Sequence, residues 1–255
     1  NLLIYQELAR ALAALRAAEI PAIVLKGAAL AVSAYSHLGL RPIGDIDLLV
    51  PEHSLTRAEK TLRAAGYLPD PEPELRPGIN RLISPEITLF KERPFGLKLD
   101  LHWSLIAGAA WRHRPEVTWF WSRAEWLDSP PEAMLVLDPT AHLLYLAAHA
   151  FLQHGGSRVV LRWLYDLRQL LILQANRIDW RLVARKADDF HWLPALTTAL
   201  QMTCACFRWT LPAEATAALF HPADQADWRR VNDGFASRPT RSGGVWRKLA
   251  FLNGR

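Results

Sequence analysis

Two aspartates separated by one residue, Asp45 and Asp47, open an apolar run that ends at Val50. On an extended strand such residues share a face. Carboxylates that close repel each other unless a cation neutralises them, and hard oxygen ligands favour Mg²⁺. The alternative is a solvated aspartate pair at a strand end. A third acid, Asp100, lies in Lys98-Leu99-Asp100-Leu101-His102-Trp103. There Lys98, Asp100 and His102 would line one strand face, and Leu97, Leu99 and Leu101 would fill the core behind it. If this strand lies beside the first, Asp45, Asp47 and Asp100 meet, and such a triad can hold two metal ions about 4 Å apart. One ion would organise a triphosphate and the other would lower the pKa of an attacking hydroxyl, with Asp100 as a candidate base. Otherwise Asp100 is a strand-edge charge paired with an arginine.

Lys26-Gly27 precedes a helix. Gly27 allows close backbone approach, a helix N-terminus offers N–H groups to phosphate, and Lys26 supplies a mobile positive charge. The glycine spacing is not that of a Walker loop. Arg41 lies four residues before Asp45, placed either to pair with a carboxylate or to touch a leaving pyrophosphate. Gly44 is expected to let the chain enter the aspartate strand tightly. His102 shares a face with Asp100, where it can bond that carboxylate, bind substrate or serve structure alone. Lys26, Gly27, Arg41, Gly44 and His102 are therefore the candidate nucleotide-binding residues. Zinc is not favoured, since no Cys or His partner is near. Arg162 and Asp166 are within reach of each other on one helix face, and His142, His149 and His154 read as interface histidines. Asp47→Asn is expected to stop metal-dependent turnover and leave folding intact, because it removes like-charge repulsion.

These residues need elements to position them. Periodicity predicts helices over 2–18, 28–37 and 53–65, the last capped by Gly66, and strands over 22–25, 45–50 and 97–103. Residues 69–77 read as a proline-rich loop, 79–90 as one or two strands, and Pro94-Phe95-Gly96 as a turn. This is an α/β (α+β) pattern: a mixed sheet with helices on one side. Residues 104–114 read as a helix or a loop, and 115–126 as holding an edge strand. Pro130-Pro131 marks a boundary, giving a catalytic domain over 1–130 and a helical bundle over 131–255. Its helices fall near 140–153, 160–175, 179–187 and 191–208.

Composition narrows the function classes. With 51% apolar and 22% charged residues, the chain is ordinary for a globular protein. A formal charge of +5 is low for a nucleic-acid binder. No DNA partner is expected, and long RNA is disfavoured. The basic residues Arg229 to Arg255 read as a solvated surface or a contact with an anion. Trp103, Trp111, Trp119 and Trp121 read as packing residues or as a stacking surface. Cys204 and Cys206 do not face each other on a helix, which fits a reducing compartment. No apolar run reaches the roughly 20 residues that span a bilayer, and a cytoplasmic location is expected.

Leu25-Lys26-Gly27, Gly39-Leu40-Arg41-Pro42 and Gly44-Asp45-Ile46-Asp47-Leu48-Leu49-Val50 together resemble the uncharacterised nucleotidyltransferase family of the DNA polymerase beta superfamily. Leu99-Asp100-Leu101-His102-Trp103 is similar to that family's later acidic element, and Arg162 to Leu167 to its helical part, where an aspartate such as Asp166 recurs. The resemblance implies a polymerase beta-type palm followed by a helical domain. Asp45 and Asp47 would be paired metal ligands and Asp100 the third acid. It implies Mg²⁺-dependent transfer of a nucleoside monophosphate, AMP from ATP foremost, to an acceptor hydroxyl with pyrophosphate release. The acceptor would be a small molecule, a peptide or a protein rather than long RNA. In the superfamily the turn before the helix carries a hydroxyl, and here it reads Lys-Gly-Ala. A non-catalytic binding protein of the same fold and a kinase-like phosphotransferase are the alternatives.

Overall fold

The computed structural model describes residues 1–69, 84–92, 96–106, 115–129, 132–154 and 159–220. The basic stretch 229–255 and Trp111 lie outside them. The framework is a seven-stranded mixed sheet of order β3-β4-β5-β2-β1-β7-β6. Its strands are β1 (Ile23–Val24), β2 (Asp45–Leu49), β3 (Leu68–Pro69), β4 (Glu86–Lys91), β5 (Leu97–His102), β6 (Ala124–Leu127) and β7 (Met134–Leu137). β2 and β5 run parallel, with Asp47 beside Asp100. β1 is parallel to β7 and antiparallel to β2. The chain is thus a palm-like mixed α/β sheet followed by a C-terminal helical bundle.

Alternation decides which face each strand residue joins. Leu97, Leu99 and Leu101 of β5 and Ile46 and Leu48 of β2 enter one core, shared with helices α1 (Leu2–Ala17) and α3 (Leu55–Ala64). In α1 the buried Leu8, Ala11, Leu12 and Leu15 fall at helical spacing. α3 ends as its sequence suggests. Gly66 takes φ +92°, its N–H donates to the Arg63 carbonyl, and the Tyr67 N–H reaches back to Leu62, which closes the helix end.

Helices also cover the opposite face, contrary to the one-sided arrangement expected. There Ile23, Leu49 and Leu137 join a second core with the bundle. The bundle comprises α5 (Pro139–Ala148), a π turn (His149–Gln153), α6 (Leu161–Gln174), α7 (Trp180–Asp189), α8 (Leu193–Phe207) and α9 (Ala213–Leu219). The Asp138 side chain caps α5 through the Ala141 N–H at 2.9 Å, with Pro139 at its first position.

Two local features were not expected. The edge strand expected within 115–126 is present as β6, which begins at Ala124 and lies at the edge of the sheet, but a short helix, α4 (Val117–Ser122), precedes it. Val-Thr-Trp-Phe-Trp favours a strand by intrinsic preference. Burial of Phe120 in the bundle core, ringed by Trp119, Phe190 and Trp192, overrides it. Residues 134–137 form β7, a strand beyond the 130/131 boundary that pairs with β1 inside the sheet. The predicted loop and strands between 70 and 83 lie outside the described residues, as do 107–114.

Candidate active site

The short helix α2 (Lys26–Ser33) follows β1 directly. The permissive residue of this turn was expected to be Gly27. Instead Lys26 carries the left-handed backbone, with φ +46°, a conformation that costs a non-glycine residue of order 1–3 kcal/mol. Its side chain explains how that is tolerated: Lys26 Nζ lies 2.7 Å from Asp47 Oδ1.

Asp45, Asp47 and Asp100 project from one face of the parallel β2–β5 pair. Their surroundings differ. Asp47 is 2% exposed and accepts from Lys26, and its Oδ1 lies 3.0 Å from His102 Nε2. Burial works against its charge, but the Lys26 ammonium and His102 outweigh it and hold the carboxyl far below the usual range. Asp100 accepts from Thr88 Oγ1 and Lys98 Nζ, each at 2.7 Å. Asp45 is half-buried. Burial raises its pKa, the Asp47 and Asp100 carboxylates raise it further, and Lys26 and Lys98 only partly offset them. Burial disfavours the Lys26 charge too, yet Tyr145, Asp47 and Glu86 overcome this, so the net shift is upward. Among the described residues the Tyr145 hydroxyl has no aligned hydrogen-bond partner.

His102 is completely buried, and the carboxylate it meets is Asp47 rather than its strand-mate Asp100. Its other nitrogen, Nδ1, lies 3.0 Å from Glu86 Oε2 but is not aligned as a hydrogen bond. Glu86, from β4, was not foreseen, because it acquires meaning only once β4 pairs with β5.

Arg41 pairs with a carboxylate, but that carboxylate is Asp166 of α6. Nε donates to Oδ1 at 2.7 Å and Nη2 to Oδ2 at 2.9 Å, while the Tyr35 hydroxyl donates to Oδ1 at 2.6 Å. The three buried side chains fasten the palm to the bundle. Asp166 therefore answers Arg41 and Tyr35 rather than Arg162, as helix spacing suggested. Gly27 owes its small size to this fastening: a Cβ there would lie 3.2 Å from both terminal guanidinium nitrogens of Arg41. Gly44 differs from expectation. A Cβ at Gly44 meets nothing within 4 Å, so no tight entry into β2 demands it.

These groups line a cleft of about 280 Å³ between palm and bundle. Lys26, Gly27, Gly44, Asp45, Asp47, Lys98 and Asp100 form its palm side. His149, Gln153, His154, Arg162 and Trp163 contribute from the bundle. Of the tryptophans weighed for stacking, Trp103 is buried, and Trp119 and Trp121 pack against the bundle core. Among the described residues the tryptophan that lines the cleft is Trp163, which sequence spacing did not single out. Among the described residues no group of three His, Cys, Asp or Glu side chains is arranged to enclose a metal ion. Lys26 and Lys98 hold oxygens of Asp47 and Asp100. The donor chemistry nonetheless suits a hard cation: among the described residues no ammonium or guanidinium is bonded to Asp45, which feels the unbalanced charge of its neighbours.

The site is thus a palm-like mixed sheet that carries Asp-x-Asp with a third aspartate on the neighbouring strand, between two layers of helices. Residues 1–208 match the family described as "Uncharacterised nucleotidyltransferase", and the chain belongs to it. No curated protein matches the chain. Two similar solved structures are an antibiotic-resistance factor, ANT(2″)-Ia, and an antigenic nucleotidyltransferase-like protein from Paracoccidioides brasiliensis. The first is 15% identical, with 76% of this chain and 95% of that chain covered and a TM-score of 0.47. The second is 16% identical, with 75% and 89% covered and a TM-score of 0.42. Likenesses this remote say nothing about substrate. No helix among the described residues is long and apolar enough to cross a membrane.

Proposed function

We propose that this protein is a Mg²⁺-dependent nucleotidyltransferase that moves a nucleoside monophosphate, AMP from ATP foremost, to an acceptor hydroxyl and releases pyrophosphate. The observation that carries the reading is the shared face of β2 and β5, where Asp45, Asp47 and Asp100 pool negative charge beneath the ammonium groups of Lys26 and Lys98. Asp45 and the second oxygen of Asp47 would hold Mg²⁺, which would neutralise charge on the phosphates and align them. This differs from a site in which all three carboxylates bridge two ions, because both Asp100 oxygens are engaged by Thr88 and Lys98. Lys26 bears on the triphosphate from the start of α2. The acceptor oxygen bonds to the α-phosphorus as the bond to the pyrophosphate oxygen breaks. The acceptor proton passes toward Asp100, whose partner Lys98 is 39% exposed and free to swing toward the departing anion. His102 orients Asp47 from behind, and Arg41 keeps the bundle against the cleft. Catalysis on this scheme is alignment and charge stabilisation. A small molecule, peptide or protein is the proposed acceptor class, and the cytoplasm the proposed location.

A second reading has one specific observation behind it. Lys26 and Lys98 serve as counter-ions to two of the acids, and a protein that kept them there permanently would bind nucleotide without turnover. Incubation with Mg²⁺ and ATP labelled at the α-phosphate, across hydroxyl acceptors of each class, separates the readings. Label transfer with pyrophosphate release is the expected result. ADP as product would make the protein a phosphotransferase instead. Nucleotide binding with no transfer to any acceptor class would overturn the enzymatic reading.

A further inference from the structure

The cleft has two chemically different sides. The palm side is charged: Lys26, Asp45, Asp47, Lys98 and Asp100. The bundle side is built from rings. Trp163 and His154 lie 4.7 Å apart with their planes 31° from each other, and His149 stands edge-on to both, at 5.4 Å and 4.6 Å. His154 is exposed and Trp163 half-buried, whereas His149 is 7% exposed.

Two buried polar atoms in this wall have no hydrogen-bond partner among the described residues, Nδ1 of His149 and Oε1 of Gln153. A buried polar atom left unpaired costs about 1–3 kcal/mol, and two of them lie on one short stretch beside the cleft. That stretch is the π turn His149–Gln153. Such turns are rare and occur often at functional sites. His149 and Gln153, four apart, would share a face of a regular helix too; the wider turn adds His154, five residues on from His149, whose ring lies 4.6 Å away and which lines the same cleft.

A ligand that satisfies both sides has an anionic chain at one end and, at the other, a flat ring with a hydrogen-bonding edge. We infer that the Trp163–His154 wall is the subsite for the nucleobase, with the ring stacking there and the Gln153 amide and His149 reading its edge. The inference rests on the nucleotide reading proposed above and adds where the base lies and which residues hold it. Base stacking on aromatic side chains is tolerant of base identity, so selection falls to Gln153 and His149.

The test is binding of two ligands to the full chain with Mg²⁺: α,β-methylene-ATP, which cannot be cleaved at the reacting bond, and inorganic tripolyphosphate, which has no ring. The variants are Trp163→Leu and His154→Ala; the exposed position of His154 keeps the test alive if the tryptophan variant fails to fold. Calorimetry is expected to show each variant binding the nucleotide analogue on the order of ten- to a hundred-fold more weakly, as lost base stacking does, with tripolyphosphate within about twofold of wild type. Unchanged analogue binding in both variants, or equal weakening of both ligands, would overturn the subsite and leave the nucleotide reading standing. A wild-type chain that binds neither ligand would sink the nucleotide reading itself, and the subsite with it.

Discussion

Replacing Asp166 by Asn tests whether the palm and bundle are held as described. The substitution keeps the side chain's shape and removes its charge. It leaves the Arg41 guanidinium, 8% exposed, without the carboxylate that takes Nε at 2.7 Å and Nη2 at 2.9 Å. Breaking a buried pair by removing one partner costs about 3–5 kcal/mol, because the other charge stays buried and uncompensated. Tyr35 can still donate to the amide oxygen, which puts the expected loss near the lower end, about 3 kcal/mol. With a urea dependence of about 3 kcal/mol per molar, the unfolding midpoint followed by circular dichroism would fall by about 1 M. The double replacement Arg41→Met with Asp166→Leu removes both charges together. Since buried pairs are often replaced by apolar residues at little cost, it is expected to lose less stability than Asp166→Asn alone. A midpoint change under about 0.3 M for Asp166→Asn, or a double variant as unstable as the two single losses added, would refute the account of Arg41 as a buried fastening.

The two glycines of the cleft should behave oppositely. Gly27→Ala presses a methyl group against a pinned Arg41 and should cost about 1–3 kcal/mol as overpacking, while Gly44→Ala, with open space around its Cβ, should stay within about 0.5 kcal/mol of wild type; comparable urea midpoints for the two would contradict this. The acids should differ likewise. Asp45→Asn relieves repulsion and unpairs nothing, so melting should show it as stable as wild type or more so. Asp47→Asn leaves the Lys26 ammonium without its charged partner and should destabilise by about 3 kcal/mol, a cost that reasoning from like-charge repulsion alone leaves out. His142 supplies a pH test. Burial pushes its pKa down from 6.5 to about 4, so on acidification the unfolded chain takes up the proton first. Its contribution is whole above about pH 6.5 and is lost on the way to pH 4, a fall of about 3 kcal/mol. His142→Leu should flatten that part of the stability profile, measured by urea unfolding at pH 7 and 4.5, and an unchanged difference between the two pH values would count against it.

Much of the palm was legible because its signals are short-range and periodic. Leu97, Leu99 and Leu101 alternate with Lys98, Asp100 and His102, and that period alone separates core face from site face. The Gly66 helix end rests on backbone chemistry within a few residues. The Asp-x-Asp spacing likewise placed Asp45 and Asp47 on one face before any partner strand was known. β7 escaped because four apolar residues carry no distinguishable period, and 117–122 because burial of Phe120 outweighed strand preference.

The site's chemistry was decided across longer distances. Nothing near Arg41 in the chain announces Asp166, which reaches it only once α6 packs against the palm. The reason for Gly27 is a guanidinium delivered by that same contact. His102 turns to Asp47 instead of Asp100 because parallel pairing sets β2 beside β5, and Trp163 lines the same cleft as the acids because α6, which carries it, packs against the palm. The residue order determined which side chains could share a face, since that depends on local backbone period. Which charges neutralise which, and what lies across the cleft from the aspartates, depended on packing between segments well separated in the chain, 21 residues for Lys26–Asp47, 55 for His102–Asp47 and 125 for Arg41–Asp166, and only the folded chain settled it.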